Sequence, residues 1–311
     1  MEFKHIPILK DEIINNLNIK SNGIYVDCTV GGAGHTSAIC EKLNKEGQIV
    51  CFDKDIEALK VSTERLEKYP CKKLFIHDDF HNYKSCLNKF GINKADGVLI
   101  DLGVSSYQLD NPQRGFSYMN NAKLDMRMDT TQNLSAYNVV NEYSSQNLTK
   151  ILYTFGEENF TKSIVNNIIK QREIKPIETT NELVDIINKS VPVKNQIDKS
   201  SVKRVFQAIR IEVNGELSGL DETLNDIVES LSFGGRFCVL TFHSLEDRIV
   251  KNAFKLLSTD CVCDKRLPVC VCNHRASVKL INKKPIEANM IEQQQNSRSK
   301  SAKLRIVEKI I

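Results

Sequence analysis

No apolar run in this 311-residue chain approaches the ~18 residues that suggest a membrane span. The opening residues Met1-Glu2-Phe3-Lys4-His5 lack the apolar stretch of a secretory signal, and Asp11 and Glu12 follow soon after. The expectation is a cytoplasmic protein with no membrane partner. A strong charge of one sign is also missing: 43 basic and 39 acidic residues leave +4, too mild to imply nucleic-acid binding by itself. There is no internal repeat, and low complexity is confined to Gln293-Gln294-Gln295. With 41% hydrophobic residues the chain has material for its own core, so no external staple is required.

What is present begins with Val26-Asp27-Cys28-Thr29-Val30-Gly31-Gly32-Ala33-Gly34-His35. An apolar strand breaks into glycines and then into a helix that runs to about Leu43. Such a corner lets backbone approach a ligand closely, and helix N–H groups face whatever anionic group sits there. Further buried strands follow at Gly47–Asp53, Leu74–Ile76 and Gly97–Asp101, with helices between them. Continuous apolar strands separated by helices imply a parallel sheet covered on both faces. Ligands of such sheets bind beyond the strands' carboxyl ends, where Gly31–Gly34, Asp53, Phe80 and Asp101 fall.

After a polar loop from Asp110 to about Asp129 the character changes. Leu148, Ile151, Leu152 and Phe155 sit at i, i+3, i+4 and i+7; Phe160, Ile164 and Ile168 repeat the spacing. Thr179-Thr180-Asn181-Glu182 reads as a capping box, and Val202, Val205, Phe206 and Ile209 form another stripe. The α/β pattern resumes with a helix at Leu220 and the strand Arg236–Thr241. Two strand-like runs, Val278–Ile281 and Lys303–Val307, close the chain. The expected division is an α/β core over 1–132 and 213–311, with an all-helical insert at 133–212 for substrate recognition.

The glycine corner admits two cofactor classes. A dinucleotide fingerprint counted from Gly32 would need a third small residue at Ser37, a poor match. S-adenosylmethionine needs a less strict loop. Its carboxylate could rest against the amides of Ala33, Gly34 and His35, and its ribose hydroxyls on Asp53. Phe80 could lie on adenine with Asp79 reading the exocyclic amine, and Asp101 could face the ammonium and sulfonium charges.

At this point the chain resembles a known family. Val26–His35 and Asp101-Leu-Gly-Val-Ser-Ser106-Tyr-Gln-Leu-Asp110 are similar to two signatures of the bacterial 16S ribosomal RNA cytosine-N4 methyltransferases. Arg114–Ser117, Leu124–Asp129, Phe206–Asn214, Thr241–Arg248 and Ser299–Arg305 continue the match along essentially the whole chain. Departures are Tyr107 for the usual Pro, Asp79 for Asn, and Ser297 and Lys300 for Pro and Arg.

The resemblance implies a Rossmann-like class I S-adenosylmethionine-dependent methyltransferase sheet carrying a helical insert. It places the cofactor at Gly32, Ala33, Gly34, His35, Asp53, Asp79, Phe80, Asp101 and Gln108, and implies 16S rRNA in the small ribosomal subunit as substrate. A homodimer is left open.

A cytosine amine is a poor nucleophile because its lone pair is delocalised, so an acceptor must take one N–H as the methyl moves. The Asp/Asn-Pro-Pro-aromatic tetrapeptide common in amino-methyltransferases is absent, which leaves Asp101 first, then Ser105 or Ser106, as proton acceptor. His243 would orient the base or serve the structure alone, and Ser244-Leu-Glu-Asp247 reads as a helix cap. Tyr107, Phe116, Tyr118 and Phe242 are candidates to stack on an unstacked base. Basic clusters at Arg114/Arg127, at Lys199/Lys203/Arg204 and at Lys283/Lys284 with Arg298/Lys300/Lys303/Arg305 are candidates for phosphate.

Two competing functions remain: a nicotinamide-dependent oxidoreductase, and a non-catalytic RNA-binding factor that would tolerate a degraded cofactor loop. Of ten cysteines, six are scattered and read as small buried hydrophobes. Cys261-Val-Cys263 and Cys270-Val-Cys272 admit a structural metal or reduced thiols, C-x2-C being the commoner zinc hook. No catalytic metal is expected.

Overall fold

The computed structural model describes residues 7–311 except 265 and 268, and leaves the side chains of Ser106 and Asn195 undescribed. The opening pentapeptide therefore lies outside the described residues. Among the described residues, no helix is long and apolar enough to cross a membrane.

The chain forms two compact units, one of residues 1–103 with 219–311 and one of residues 104–218. The first is built on a seven-stranded sheet: β1 (Ile24–Asp27), β2 (Gln48–Asp53), β3 (Lys72–His77), β4 (Ala95–Asp101), β5 (Leu231–Thr241), β6 (Val278–Leu280) and β7 (Lys303–Lys309). Their order across the sheet is β3-β2-β1-β4-β5-β7-β6. The first five are mutually parallel, and β7 runs antiparallel between β5 and β6.

Sequence periodicity accounts for these strands. Ile49, Val50, Cys51 and Phe52 in β2 and Val98, Leu99 and Ile100 in β4 are buried without alternation, as a sheet covered on both faces requires. Each such Val, Ile, Leu or Phe contributes about 1.5–3 kcal/mol. Strand order reverses between β1 and β4, the crevice where ligands of open α/β sheets bind.

The second unit is helical, with helices at Ala136–Glu142, Ser145–Thr154, Thr161–Ile174, Thr180–Ser190 and Ser200–Asn214. The apolar stripes become its core: Leu148, Ile151, Leu152, Ile164, Ile168, Val202, Val205, Phe206 and Ile209 are buried together. Thr179 and Glu182 form the capping box in the spacing the sequence suggested. This unit is wider than the helical periodicity of 133–212, because Phe116, Leu124, Met126 and Met128 of the preceding loop pack into its core. A segment read as a polar loop is thus partly interior.

Candidate active site

The acids that close the parallel strands define the site. Asp27, Asp53 and Asp101 end β1, β2 and β4. Asp101 lies next to the glycine corner because its own amide donates to Thr29 Oγ1 at 2.8 Å. The corner is fixed from several directions. Asp53 accepts from the Gly31 amide at 2.8 Å and from the Asp55 amide at 2.9 Å. Arg65 donates to the Gly32 carbonyl at 2.9 Å, and the Ala33 amide donates to Val30 O at 2.7 Å. Ala33 itself is buried with φ +57°, a left-handed conformation that costs a non-glycine residue about 1–2 kcal/mol. Gly34 then opens the helix Gly34–Cys40; a Cβ there would stand 2.6 Å from the Pro7 ring.

Asp27 was not singled out from sequence. It is almost wholly buried, accepts from Thr36 Oγ1 at 2.6 Å and from the Thr29 amide at 3.1 Å, and so ties the strand end to the helix that follows. A buried acid at a strand end beside a hydroxyl-rich loop was the available signal. Burial pushes its carboxyl up to about 6, against the pull of those hydrogen bonds.

Asp101 is the most perturbed of the three. Burial, then the Asp27 and Glu246 carboxylates, push it up to about 8. Its Oδ1 is buried with no hydrogen-bond partner. Its Oδ2 lies 3.6 Å from His35 Nδ1. The other nitrogen of that buried imidazole, Nε2, sits 2.9 Å from the Ile8 carbonyl, which can only accept, so Nε2 carries a proton. A neutral ring held that way would turn its Nδ1 lone pair toward a carboxylate. A proton on Asp101 removes the conflict, in keeping with its raised pKa.

At the edge of the crevice, Asp79 caps the short turn Phe80–Asn82. Its carboxylate meets Lys54 Nζ at 2.7 Å and His81 Nδ1 at 2.6 Å. Burial alone would raise it, but the His81 ring and the Lys54 ammonium hold it well below the usual carboxylate range. Phe80 stacks on His81 with ring centroids 4.5 Å apart. His243 is the N-cap of the helix Ser244–Leu257, a place expected for Ser244. Its Nδ1 accepts from the Glu246 amide at 3.4 Å, and its Nε2 lies 3.0 Å from Glu246 Oε1. Glu246, buried, accepts in turn from the Phe242 amide at 2.7 Å. Helix capping thus accounts for Nδ1, while the buried Nε2 makes no hydrogen bond and is the atom through which the ring would orient a base.

Ser105, Ser106 and Gln108 belong to the second unit. Ser105 Oγ accepts from the Gln108 amide at 3.2 Å, and buried Gln108 returns its Oε1 to the Ser105 amide at 3.0 Å. This reciprocal box opens the helix Ser106–Asp110 and gives the Ser105 hydroxyl a structural task. The Ser106 side chain lies outside the described residues.

Three arginines offered for phosphate have internal partners instead. Arg114 is buried and donates to the Arg127 and Met128 carbonyls at 2.9 and 3.0 Å. Arg127 grips Asp125 with two nitrogens and caps the Thr130 and Gln132 carbonyls. Arg305 makes a two-point pair with Asp247 at 2.7 and 3.0 Å. Two aromatics are likewise packing residues: Phe116 is buried beneath Arg114, and Tyr118 meets Phe206 edge-on at 5.7 Å. Lys199, Lys203, Lys283, Lys284 and Lys300 stay at the surface.

The sheet order with its antiparallel β7, and the glycine corner flanked by strand-end acids, define a Rossmann-like class I S-adenosylmethionine-dependent methyltransferase. The chain belongs to the MraW methylase family, whose model matches residues 2–310. Among curated relatives, the ribosomal RNA small subunit methyltransferase H of Clostridioides difficile (strain 630) is 52% identical over 311 residues, covering 100% of both chains. The protein of the same name from Finegoldia magna is 50% identical over 313 residues, again covering 100% of both. Of solved structures, an S-adenosylmethionine-dependent O-methyltransferase from Thermotoga maritima is similar with TM-score 0.44 and 10% identity, covering 100% of this chain and 69% of that one.

The residues present fit this cofactor. A buried, unpartnered carboxylate oxygen on Asp101 is a place for a cationic group, since an isolated buried acceptor is costly until a donor or charge meets it. Asp53, with one amide on each oxygen, retains lone pairs for hydroxyl donors. One pH dependence follows. Below about pH 8 the protein without cofactor holds a proton on Asp101, and a bound cation favours the carboxylate, so binding must expel that proton. Affinity is expected to weaken by up to about tenfold per pH unit as pH falls below about 8, and to level off above it. Calorimetry in two buffers of different protonation enthalpy would show the released proton. Binding that is flat with pH and releases no proton would remove Asp101 from the cation site.

Proposed function

We propose that this protein transfers a methyl group from S-adenosylmethionine to the exocyclic N4 of a cytosine in 16S ribosomal RNA of the small subunit, in the cytoplasm. Membership of the MraW methylase family and full-length relatives named as small-subunit rRNA methyltransferases support the substrate class. The observation that carries the chemistry is Asp101: a strand-end carboxyl at the glycine corner with one orphaned oxygen and a pKa pushed up to about 8. The cofactor supplies an activated methyl group, so the protein's own task is to position the amine and manage its proton. Ionised by the positive charge of the bound cofactor, Asp101 would offer a carboxylate oxygen to accept an amine N–H as positive charge reaches nitrogen. The loop amides at Gly34 and His35 would hold the cofactor's carboxylate, the Ala33 amide expected to join them being taken by the Val30 carbonyl, with Asp53 on its ribose and Phe80 on its adenine. In this reading the helical unit presents surface lysines such as Lys199 and Lys203 to RNA phosphates, which set position rather than sequence.

The test is mass spectrometry of nucleosides after incubation with S-adenosylmethionine and unmodified small subunits, with naked 16S RNA in parallel. N4-methylcytidine is the expected product, and the sample in which it appears tells whether the substrate is assembled. Methylation of another atom would retain the methyltransferase and overturn the target. Cofactor binding without transfer to either sample would favour an RNA-binding factor. Light scattering on the same preparation reads a homodimer directly.

A further inference from the structure

The segment between the helix Ser244–Leu257 and β6 contains no regular secondary structure among its described residues. Structureless segments of that length are uncommon in compact units and are usually functional or linker-like. Apolar burial does not hold this one: Val262 and Leu267 are about half exposed, and Val269 and Val271 are each 71% exposed. At its base the Ser277 amide donates to Leu257 O at 2.9 Å and the Ala276 amide to Asp260 Oδ1 at 3.3 Å. What converges farther out is sulfur.

Cys261, Cys263, Cys270 and Cys272 bring their four Sγ atoms within 4.8 Å of one another. Cys261–Cys270 is 3.4 Å, Cys270–Cys272 is 3.6 Å, and both Cys263–Cys270 and Cys261–Cys272 are 3.9 Å. A disulfide would bring two sulfurs to about 2.05 Å. Four sulfurs placed tetrahedrally about 2.3 Å from a common centre stand about 3.8 Å apart, which these spacings straddle. An iron–sulfur cluster, with several metal and sulfide atoms between its ligands, would hold the four sulfurs farther apart.

The backbone repeats the symmetry of the sulfurs. The Val262 amide points to Cys272 Sγ at 3.5 Å and the Val271 amide to Cys263 Sγ at 3.3 Å, so the middle residue of each C-x-C serves the opposite pair. Amides directed at sulfur in this way stabilise thiolate charge and orient ligands around a metal.

We propose that Cys261, Cys263, Cys270 and Cys272 form a closed tetrathiolate site for one Zn2+ that fixes the 258–277 segment. Soft thiolates in tetrahedral array select this ion, and four protein ligands leave no open position for catalysis. On binding, each thiol gives its proton to solvent and its sulfur lone pair to the metal, with no change of oxidation state.

The test uses the full chain purified under reducing conditions without chelator. Elemental analysis should find about one zinc per chain. Cobalt(II) exchanged into the site should give the sulfur-to-metal charge-transfer band and the tetrahedral d–d bands of a four-thiolate complex. Changing Cys263→Ser together with Cys272→Ser, one from each pair, should reduce the zinc to background and abolish the cobalt spectrum. If that variant fails to fold, the spectrum of the unaltered protein decides. A chain that takes up no zinc from reducing solution and gives no charge-transfer band with cobalt overturns the site, and so does recovery of these four cysteines as disulfides from reducing buffer.

Discussion

Replacing Asp101 with Ala is expected to lower turnover by about 10²–10⁴-fold even at saturating cofactor, the range lost with a positioned proton acceptor. The same change removes the carboxyl facing His35 Nδ1 and the orphaned oxygen proposed for the cofactor's cation, so cofactor affinity should fall as well. Single-turnover kinetics and calorimetry separate the two effects. A near-normal rate at saturating cofactor would end the catalytic assignment while leaving a binding one.

Asp101→Asn adds a stability readout of opposite sign. The folded carboxyl is raised from 3.8 to about 8, so between those values the folded state holds a proton that the unfolded chain has released. Its contribution to stability is therefore present below about pH 4 and is lost as pH rises toward about 8. An amide has no such titration. The Asn variant without cofactor should melt higher than the parent at pH 8 and above, and match it near pH 4, while losing activity. Equal melting of the two across this range would show that Asp101 is not perturbed in solution.

Replacing Arg114 with Ala is expected to destabilise the helical unit by about 2–6 kcal/mol and to leave the salt dependence of RNA binding unchanged. The guanidinium is buried, satisfies the Arg127 and Met128 carbonyls and lies over Phe116. Removing it leaves two acceptors in need of partners, at about 1–3 kcal/mol each, and opens space above an aromatic ring. Denaturant unfolding measures the loss. Salt titration of RNA binding measures the alternative, because deleting one phosphate contact reduces the slope by about one. A variant as stable as its parent but with a shallower salt slope would restore Arg114 to the RNA surface.

The two arginine readings show where sequence and structure part. Arg114 and Arg127 in a stretch of Asn, Gln, Ser and Asp look like solvated cations. Which carbonyls they reach depends on how residues 111–132 fold back on themselves. His243 is similar: one histidine after a strand does not reveal that its Nδ1 caps the next helix, which only the approach of the Glu246 amide in three dimensions shows. Asp27 went unremarked because its partners, Thr29 and Thr36, form a network only once the helix Gly34–Cys40 turns back over the strand.

What the sequence determined by itself was everything carried by short-range pattern. Unbroken apolar runs specify buried parallel strands, stripes at helical spacing specify the helical unit, and glycines between β1 and a helix specify a ligand corner, because each is a local consequence of backbone geometry. Asp53 and Asp101 at the ends of two of those runs were legible for the same reason. Pairing across long stretches of chain was left to the tertiary structure. It placed β7 between β5 and β6, buried an oxygen of Asp101 beside other carboxylates, gave the arginines internal acceptors and drew four cysteine sulfurs to one point. Burial and electrostatic coupling depend on which distant segments meet, and no local period in the sequence encodes that meeting.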